Sequence, residues 1–532
     1  MELFPFQIEA ASQIADRFQA YAVEPLTVTR NRTVPFYQNL SSITGSGKTV
    51  ILADAIEQIR SRLPIEPIVL WLSKGRVVVW QTFANLSAGK YADLLGGYQV
   101  KALLDCKGAD VEDSSRGLLL VATVGKFNQK DKDQGDRKIF KVALDVAEQS
   151  LWASLKSRKD SEGRRRPFLV VYDEGHNLSD QQTKLLLELD PDALIAASAT
   201  IKIPEALSKT IDRLREDKSW KDEDYVTSVK SSCVVSSGLV KQRISLGGYL
   251  TPMEAAVNDL LETMKKAAAE AKKLSLPIKP KAIYVSTTNT VDGVTAREDM
   301  ARPFNERMAR PILIWRYLVE HGKVDPAEIA VYCDLKFDSK LRPPPTFNLF
   351  AGGDTDYDRF MAGNFKHIIF NLSLQEGWDD AECCFAYIDK EMGSPDQVTQ
   401  IVGRVLRQPG AQHYPNPLLN TAHFYIRSDT KGVIEEIIED VANKLASEAP
   451  EITLTVTKSY SGKTKSVLDP KEVRTVPIVS VDSSEAKEPI AEIIRRIPNY
   501  SANSEDTVGK GGHIHVLQTI GNGIQQKVRL TT

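Results

Sequence analysis

Cysteine is scarce in this chain. The five that occur, Cys106, Cys233, Cys333, Cys383 and Cys384, form no CxxC pair and no metal-ligand spacing. An odd count without such spacing argues against a disulfide framework or a zinc ribbon and fits buried, reduced thiols. Long apolar runs are also missing: none approaches the ~20 residues that a helix needs to cross a bilayer, so no membrane association is expected. The opening stretch, MELFPFQIEA, has no basic region followed by an apolar one, so no signal peptide is expected and the cytoplasm is the expected location. An excess of one sign of charge is lacking too, with a net charge of −2. That excludes a globally basic nucleic-acid binder but leaves room for a local phosphate-binding groove. Internal repeats and low-complexity tracts are absent, which excludes a solenoid.

What is present is an ordinary globular composition, 42% hydrophobic and 26% charged, spread over 532 residues. A single core stops growing near ~250–300 residues, so two to four domains are expected. Short apolar runs alternate with amphipathic stretches. PIVLWLSK, GLLLVATV, PFLVVYDE and DALIAASAT read as strands, and TVILADAIEQIR as a helix with Leu52, Ile56 and Ile59 on one face. Continuous apolar strands between helices predict a parallel sheet covered on both faces. The pattern restarts with KAIYVSTT, EIAVYCD, HIIFNLSL and CCFAYID. The expected fold is therefore α/β, with one domain at 1–230 and a second at 276–430. Residues 231–275 are expected to be a helical connector or insertion, dominated by an Ala/Lys/Glu-rich helix at 252–274. Residues 431–532 read as a small α+β accessory region, either a complete ending or part of a longer one. Two charged loops stand out, at 126–138 and 156–168.

The sharpest chemical signal is SSITGSGKTV. Thr44, Gly45, Ser46, Gly47, Lys48 and Thr49 lie between a predicted strand and a predicted helix. Glycines let main-chain N–H groups curl around phosphate oxygens, and the helix N-terminus adds positive dipole. Lys48 is placed to reach the β- and γ-phosphates of a nucleotide, and Thr49 to hold Mg²⁺. The strict phosphate-loop pattern has Gly where this chain has Ser42, still a small residue. Downstream, LVVYDEGHN delivers Asp173 and Glu174 at the C-terminal end of a strand. Asp173 suits the metal shell and Glu174 the orientation of an attacking water. Alone, DEGH is also compatible with a solvated acidic turn; the phosphate loop upstream favours the catalytic reading.

These motifs resemble the superfamily 2 helicases and translocases, in the variant with a DEAH-type motif II. Ser198-Ala199-Thr200 matches motif III, and FPFQIEA the Q motif. SLQEGWDDAECC is similar to motif V, and QIVGRVLRQ to motif VI. The resemblance implies two tandem RecA-like parallel-sheet domains with ATP and Mg²⁺ in the cleft between them. It implies that Gln7 reads adenine and that Gly377 and Asp379 line the nucleotide site. Gln400, Arg404 and Arg407 would complete catalysis from the second domain, and His176, Ser198 and Thr200 would couple hydrolysis to motion. In a continuous helix, positions 400, 403, 404 and 407 share one face, so that face is expected to present an amide and two guanidiniums across the cleft. Ser73, Lys74 and Thr123 in the first domain, with Ser286 and Thr287 in the second, are the implied contacts to a nucleic-acid backbone. Each is equally readable as a plain polar loop residue, and no Pro follows the Ser73 strand as motif Ia usually has it.

The QxxGRxLR form of motif VI, the EGWD form of motif V and the segment SSGLVKQRISL look like the Res motor subunit of type III restriction enzymes and related phage-defence helicases. The implied function is a DNA helicase or duplex DNA translocase driven by ATP. The implied partners are DNA, duplex or single-stranded, with RNA as the alternative, and a methyltransferase, nuclease or defence subunit. The competing reading is a partner-activated ATPase switch that does not translocate. A nuclease is not expected within the chain. Glu485, Lys487 and Asp469 are the nearest approach to a metal-nuclease set, but they sit in a polar stretch rather than on a strand. His513 and His515 share a strand face without a third ligand.

Overall fold

The computed structural model describes residues 2–29, 32–73, 75–127, 132, 139, 150–175, 178–198, 203–286, 295–351, 356–371, 380–389, 401–429, 431–459, 514–520 and 524–530. The chain divides into two units, Met1–Ser466 and Val467–Thr532. Among the described residues, the larger unit holds a short antiparallel pair, Thr27–Thr29 with Arg32–Thr33, and two large sheets in each of which every strand pairing is parallel.

The first lobe opens with helix α1 (Pro5–Val23). Strand β1 (Phe36–Ser41) follows and feeds the phosphate loop and helix α2 (Lys48–Arg62). The remaining strands are β2 (Ile68–Ser73), β3 (Tyr98–Ala102), β4 (Gly117–Thr123), β5 (Phe168–Asp173), β6 (Ala193–Ser198) and β7 (Val226–Ser228). They lie in the order β3-β4-β2-β5-β6-β1-β7. Every residue of β2 and β5 is buried, which is why both read as unbroken apolar runs. The register brings their C-terminal ends level: Ser73 pairs with Thr123, Asp173 with Ala197, and Ser41 with Ser198. The phosphate loop, Ser73, Thr123, Asp173 and Ser198 thus gather at one edge of one sheet, while Gln7 comes from α1.

The second sheet draws strands from both sides of the 276–430 span expected for it. Strand β8 (Arg243–Tyr249) comes from the stretch expected to be a connector. Helix α3 (Met253–Lys273) then packs an apolar face, including Ala256, Val257, Leu260 and Leu261, into the core beside Tyr284 and Phe385. The 252–274 helix, expected in a connector or insertion, therefore packs as a layer of the lobe. Strands β9 (Lys281–Val285), β10 (Ile329–Tyr332), β11 (Asn348–Phe350), β12 (His367–Phe370), β13 (Cys383–Ile388) and β14 (Thr421–Arg427) follow. Helix α4 (Lys431–Glu448) and strand β15 (Thr453–Ser459) complete it. The order is β11-β10-β12-β9-β13-β14-β8-β15. Thr453–Ser459 alternates apolar and polar because it lies at the sheet edge, paired only with β8.

The smaller unit contains an antiparallel pair, β16 (Ile514–Ile520) and β17 (Ile524–Leu530), with Ile514 opposite Leu530. Asp469, Glu485, Lys487 and His513 lie outside the described residues. No described helix is long and apolar enough to cross a membrane. Among the described residues, no three His, Cys, Asp or Glu side chains converge as metal ligands.

The basic loop at 156–168 is mostly exposed, but two of its arginines turn inward. Arg158 and Arg166 are fully buried. Arg158 donates to the carbonyls of Leu189 at 2.7 Å and of Arg166 at 3.1 Å. Arg166 donates to the carbonyls of Glu66, Val111 and Arg116, each at 2.9 Å. Two guanidiniums thus satisfy main-chain acceptors around the strand β5 entry, which a sequence reading of "charged loop" does not convey.

Candidate functional site

The phosphate loop leaves β1 between β6 and β7 and enters α2 at Lys48. Gly45 (φ +90°) and Gly47 (φ +84°) are left-handed, a conformation that side chains resist. A Cβ on Gly47 would also lie 2.5 Å from Gln7 Nε2. Gln7 is held by its own helix start. Pro5 occupies the first helical position, and Gln7 Oε1 accepts from the Phe4 N–H at 3.1 Å. Its amide nitrogen then donates to the Ser46 carbonyl at 3.0 Å. Ser46, fully buried, shares a 2.6 Å hydroxyl contact with Ser42, the residue standing where the strict pattern has glycine. The serine therefore braces the loop from below.

Lys48 Nζ donates to the carbonyls of Ser42 and Ile43, both at 3.2 Å. Thr49 Oγ1 donates to Asp173 Oδ2 at 2.7 Å, joining the loop to the end of β5. Burial raises the Asp173 pKa, against the Thr49 hydrogen bond, the Lys48 charge, the Glu174 N–H and Arg407. Burial lowers the Lys48 pKa, opposed by Asp173 and Glu174 and reinforced by Arg407, with Glu448 also opposing. Glu174 is exposed and takes φ +68°, a rare conformation for a side chain of its size. Such strain is kept where the surroundings over-determine it, often at a reacting site. Hydroxyl, carboxylate and left-handed glycine cradle together form a donor set suited to a nucleotide and a hard divalent cation.

The second lobe meets this loop directly. A Cβ on Gly45 would lie 2.8 Å from Val240 Cγ1 and 3.6 Å from Arg407 Cγ. A Cβ on Gly403 would lie 2.6 Å from Thr44 Cγ2. Ile43, inside the phosphate loop, is buried in a second-lobe cluster with Val234, Val240, Ile401, Val405 and Leu406. Arg407 is half-buried, and burial lowers its pKa against Tyr91, Glu174 and Asp173.

Motif VI departs from the expected single helical face. Residues 401–405 are helical, but Arg407 lies beyond the helix, in a β-bridge with Val240. The extended Gln408 precedes Pro409, a context that disfavours helix. The Gln408 N–H donates to Leu239 O at 2.9 Å instead of to the helix. Arg404 stays on the helical segment, half-buried.

The other predicted positions are placed as follows. Ser198 closes β6, between the phosphate-loop strand and the Asp173 strand, and is buried. Ser73 and Ser286 end up below the surface, and neither hydroxyl has a hydrogen-bond partner among the described residues. Thr123 is half-buried at the end of β4. Lys74, His176, Thr200, Thr287, Gly377, Asp379 and Gln400 lie outside the described residues. Sequence reasoning missed Ile43, Val240, Lys241 and Glu448. Val240 and Lys241 had left a trace in the segment SSGLVKQRISL, and Ile43 lies within SSITGSGKTV.

Residues 1–203 match the model of a family described as "Type III restriction enzyme, res subunit". The chain resembles that subunit. Among solved structures it is similar to S. cerevisiae Dbp5 bound to RNA and ADP BeF3, with 14% identity and a TM-score of 0.44, over 86% of this chain and 94% of that one. It is similar to Mycobacterium smegmatis helicase Lhr bound to ssDNA and AMP-PNP, with 14% identity and a TM-score of 0.44, over 85% of this chain and 51% of that one. A fragment of a putative HsdR subunit of a type I restriction enzyme from Vibrio vulnificus matches with 12% identity and a TM-score of 0.39, over 84% and 67%. The chain thus spans about half the length of the Lhr chain. No curated protein matches in sequence.

Proposed function

We propose that this chain is an ATP-dependent nucleic-acid motor of a restriction or phage-defence system, a DNA helicase or duplex translocase. The observation that carries the reading is the meeting of Arg407 with the phosphate loop from the opposite lobe. The family match over residues 1–203 supports the restriction-type assignment.

In this reading the phosphate loop binds the triphosphate through its N–H groups, and Lys48 exchanges the Ser42 and Ile43 carbonyls for phosphate oxygens. Mg²⁺, held by Thr49 and Asp173, would supply charge neutralisation at the β- and γ-phosphates. Glu174 orients the attacking water. Arg407 stabilises the charge that develops on the transferred phosphoryl group, a contribution of ~10³–10⁵ in rate for such arginines. Hydrolysis weakens what holds Arg407 to the loop, so the lobes part, and the cycle moves a nucleic acid bound along the strand-end edges.

The test is the ATPase rate of the full chain alone and with single-stranded DNA, duplex DNA or RNA. Stimulation by DNA, weakened steeply by salt, supports the motor. A rate indifferent to every nucleic acid but raised by a protein partner replaces it with the switch reading. A chain that hydrolyses no ATP under any of these conditions overturns both.

A further inference from the structure

The segment SSGLVKQRISL has no role in the cycle above, yet it contains a fully buried lysine. Lys241 has 0% exposure. Its ammonium donates to the Val405 carbonyl at 2.8 Å and to the Arg407 carbonyl. The main chain on either side is zipped to the same turn. Lys241 N–H donates to Leu406 O at 2.7 Å, Gln408 N–H donates to Leu239 O at 2.9 Å, and Val240 bridges Arg407. His413 Nε2 lies 3.0 Å from Val240 O and Gln242 Nε2 3.1 Å from His413 Nδ1, so the segment is held from its outer side as well.

Burying an ammonium is expensive, and an apolar side chain of similar length would fill the same space without that cost. Packing alone therefore gives no reason for a lysine. What the ammonium adds is directional: it fixes the carbonyls at the end of the motif VI helix and at Arg407 itself. Val240, the adjacent residue, touches the Gly45 position. One short segment thus sets the arginine turn and abuts the phosphate loop.

We infer that Lys241 is a positioning residue for Arg407, fixing the turn from which that guanidinium reaches the nucleotide. This rests on the motor reading only in so far as Arg407 serves ATP hydrolysis. Misplacing a reacting group by ~1 Å can cost about 10²-fold in rate. Lys241→Met is therefore expected to lower kcat for ATP by about 10²-fold while leaving KM for ATP unchanged.

The experiment compares steady-state ATPase kinetics of the full chain with Lys241→Met, Lys241→Gln, Arg407→Ala and the Lys241→Met/Arg407→Ala double variant, each checked by thermal melting. Gln keeps an N–H donor and is expected to restore part of kcat. The double variant is expected to be no slower than Arg407→Ala alone, because both changes remove the same contribution. A wild-type kcat in Lys241→Met, a loss in the double variant equal to the product of the single losses, or a raised KM with intact kcat overturns the inference. If Lys241→Met fails to fold, the Gln variant decides: a reduced kcat with unchanged KM supports the inference, and a wild-type kcat overturns it. A wild-type rate in Arg407→Ala would instead overturn the motor reading of Arg407.

Discussion

Glu174 leaves β5 with a left-handed backbone that a glutamate adopts only under constraint, beside the carboxylate that bonds Thr49. Glu174→Gln keeps shape and removes the carboxylate charge, so on the proposed function nucleotide binding is expected to persist while turnover falls. A wild-type rate, measured by phosphate release, would remove Glu174 from the mechanism. Arg407→Ala is expected to retain ATP binding and lose about 10³-fold in kcat. Gly403→Ala tests the lobe contact more finely. On an open helix this change stabilises by ~1 kcal/mol. Here the new methyl meets Thr44 Cγ2 at 2.6 Å, so a lowered ATPase rate is expected, with ATP binding to the first lobe kept. Equilibrium binding of a fluorescent ATP analogue alongside turnover distinguishes the two effects.

Among the elements, helix α4 changes most in meaning. Expected in an accessory region, it ends at Glu448, whose charge is felt by Lys48, and Ala449 and Ile452 beyond it join the cluster that holds Ile43. A carboxylate there adds negative charge to the surroundings of the lysine. Glu448→Gln is expected to lower KM for ATP with little change in kcat; an unchanged or higher KM would show that α4 has no electrostatic hold on the loop. The 156–168 loop is the structural counterpart. Arg166→Met leaves several buried carbonyls without their donor, at ~1.5–3 kcal/mol for each charged hydrogen bond that is not replaced. The melting temperature of the first lobe should fall clearly, and a value equal to wild type would contradict the buried geometry.

For the whole molecule, two buried imidazoles tie stability to pH. His367 and His423 are both lowered to about 4, His367 by burial and then by Lys366, His423 by burial and Lys241 against the Leu418 carbonyl. An unfolded histidine titrates near ~6.5, so the fold favours the neutral ring. That contribution is complete above ~6.5 and is lost as pH falls from there toward about 4. Melting temperature should therefore drop across this window, and less steeply in His423→Gln. A flat profile would mean that these rings are not buried in neutral form.

The sequence by itself determined the elements whose signals are local. β2, β5 and β6 read as apolar runs because parallel strands are buried on both faces, and the loop from Thr44 to Thr49 carries its glycines where the backbone turns left-handed. Parallel register then aligns Ser41, Asp173 and Ser198 at one edge, so the first-lobe half of the site was legible before any coordinates. Tertiary structure alone decided the rest. Membership of β8 and β15 in the second sheet, the burial of Arg158 and Arg166, the docking of Ile43 and the exit of Arg407 from its helix all depend on partners distant in the chain. Periodicity reports only which face of an element is apolar; which surface receives that face, and which carbonyl receives a buried cation, are fixed when the lobes pack.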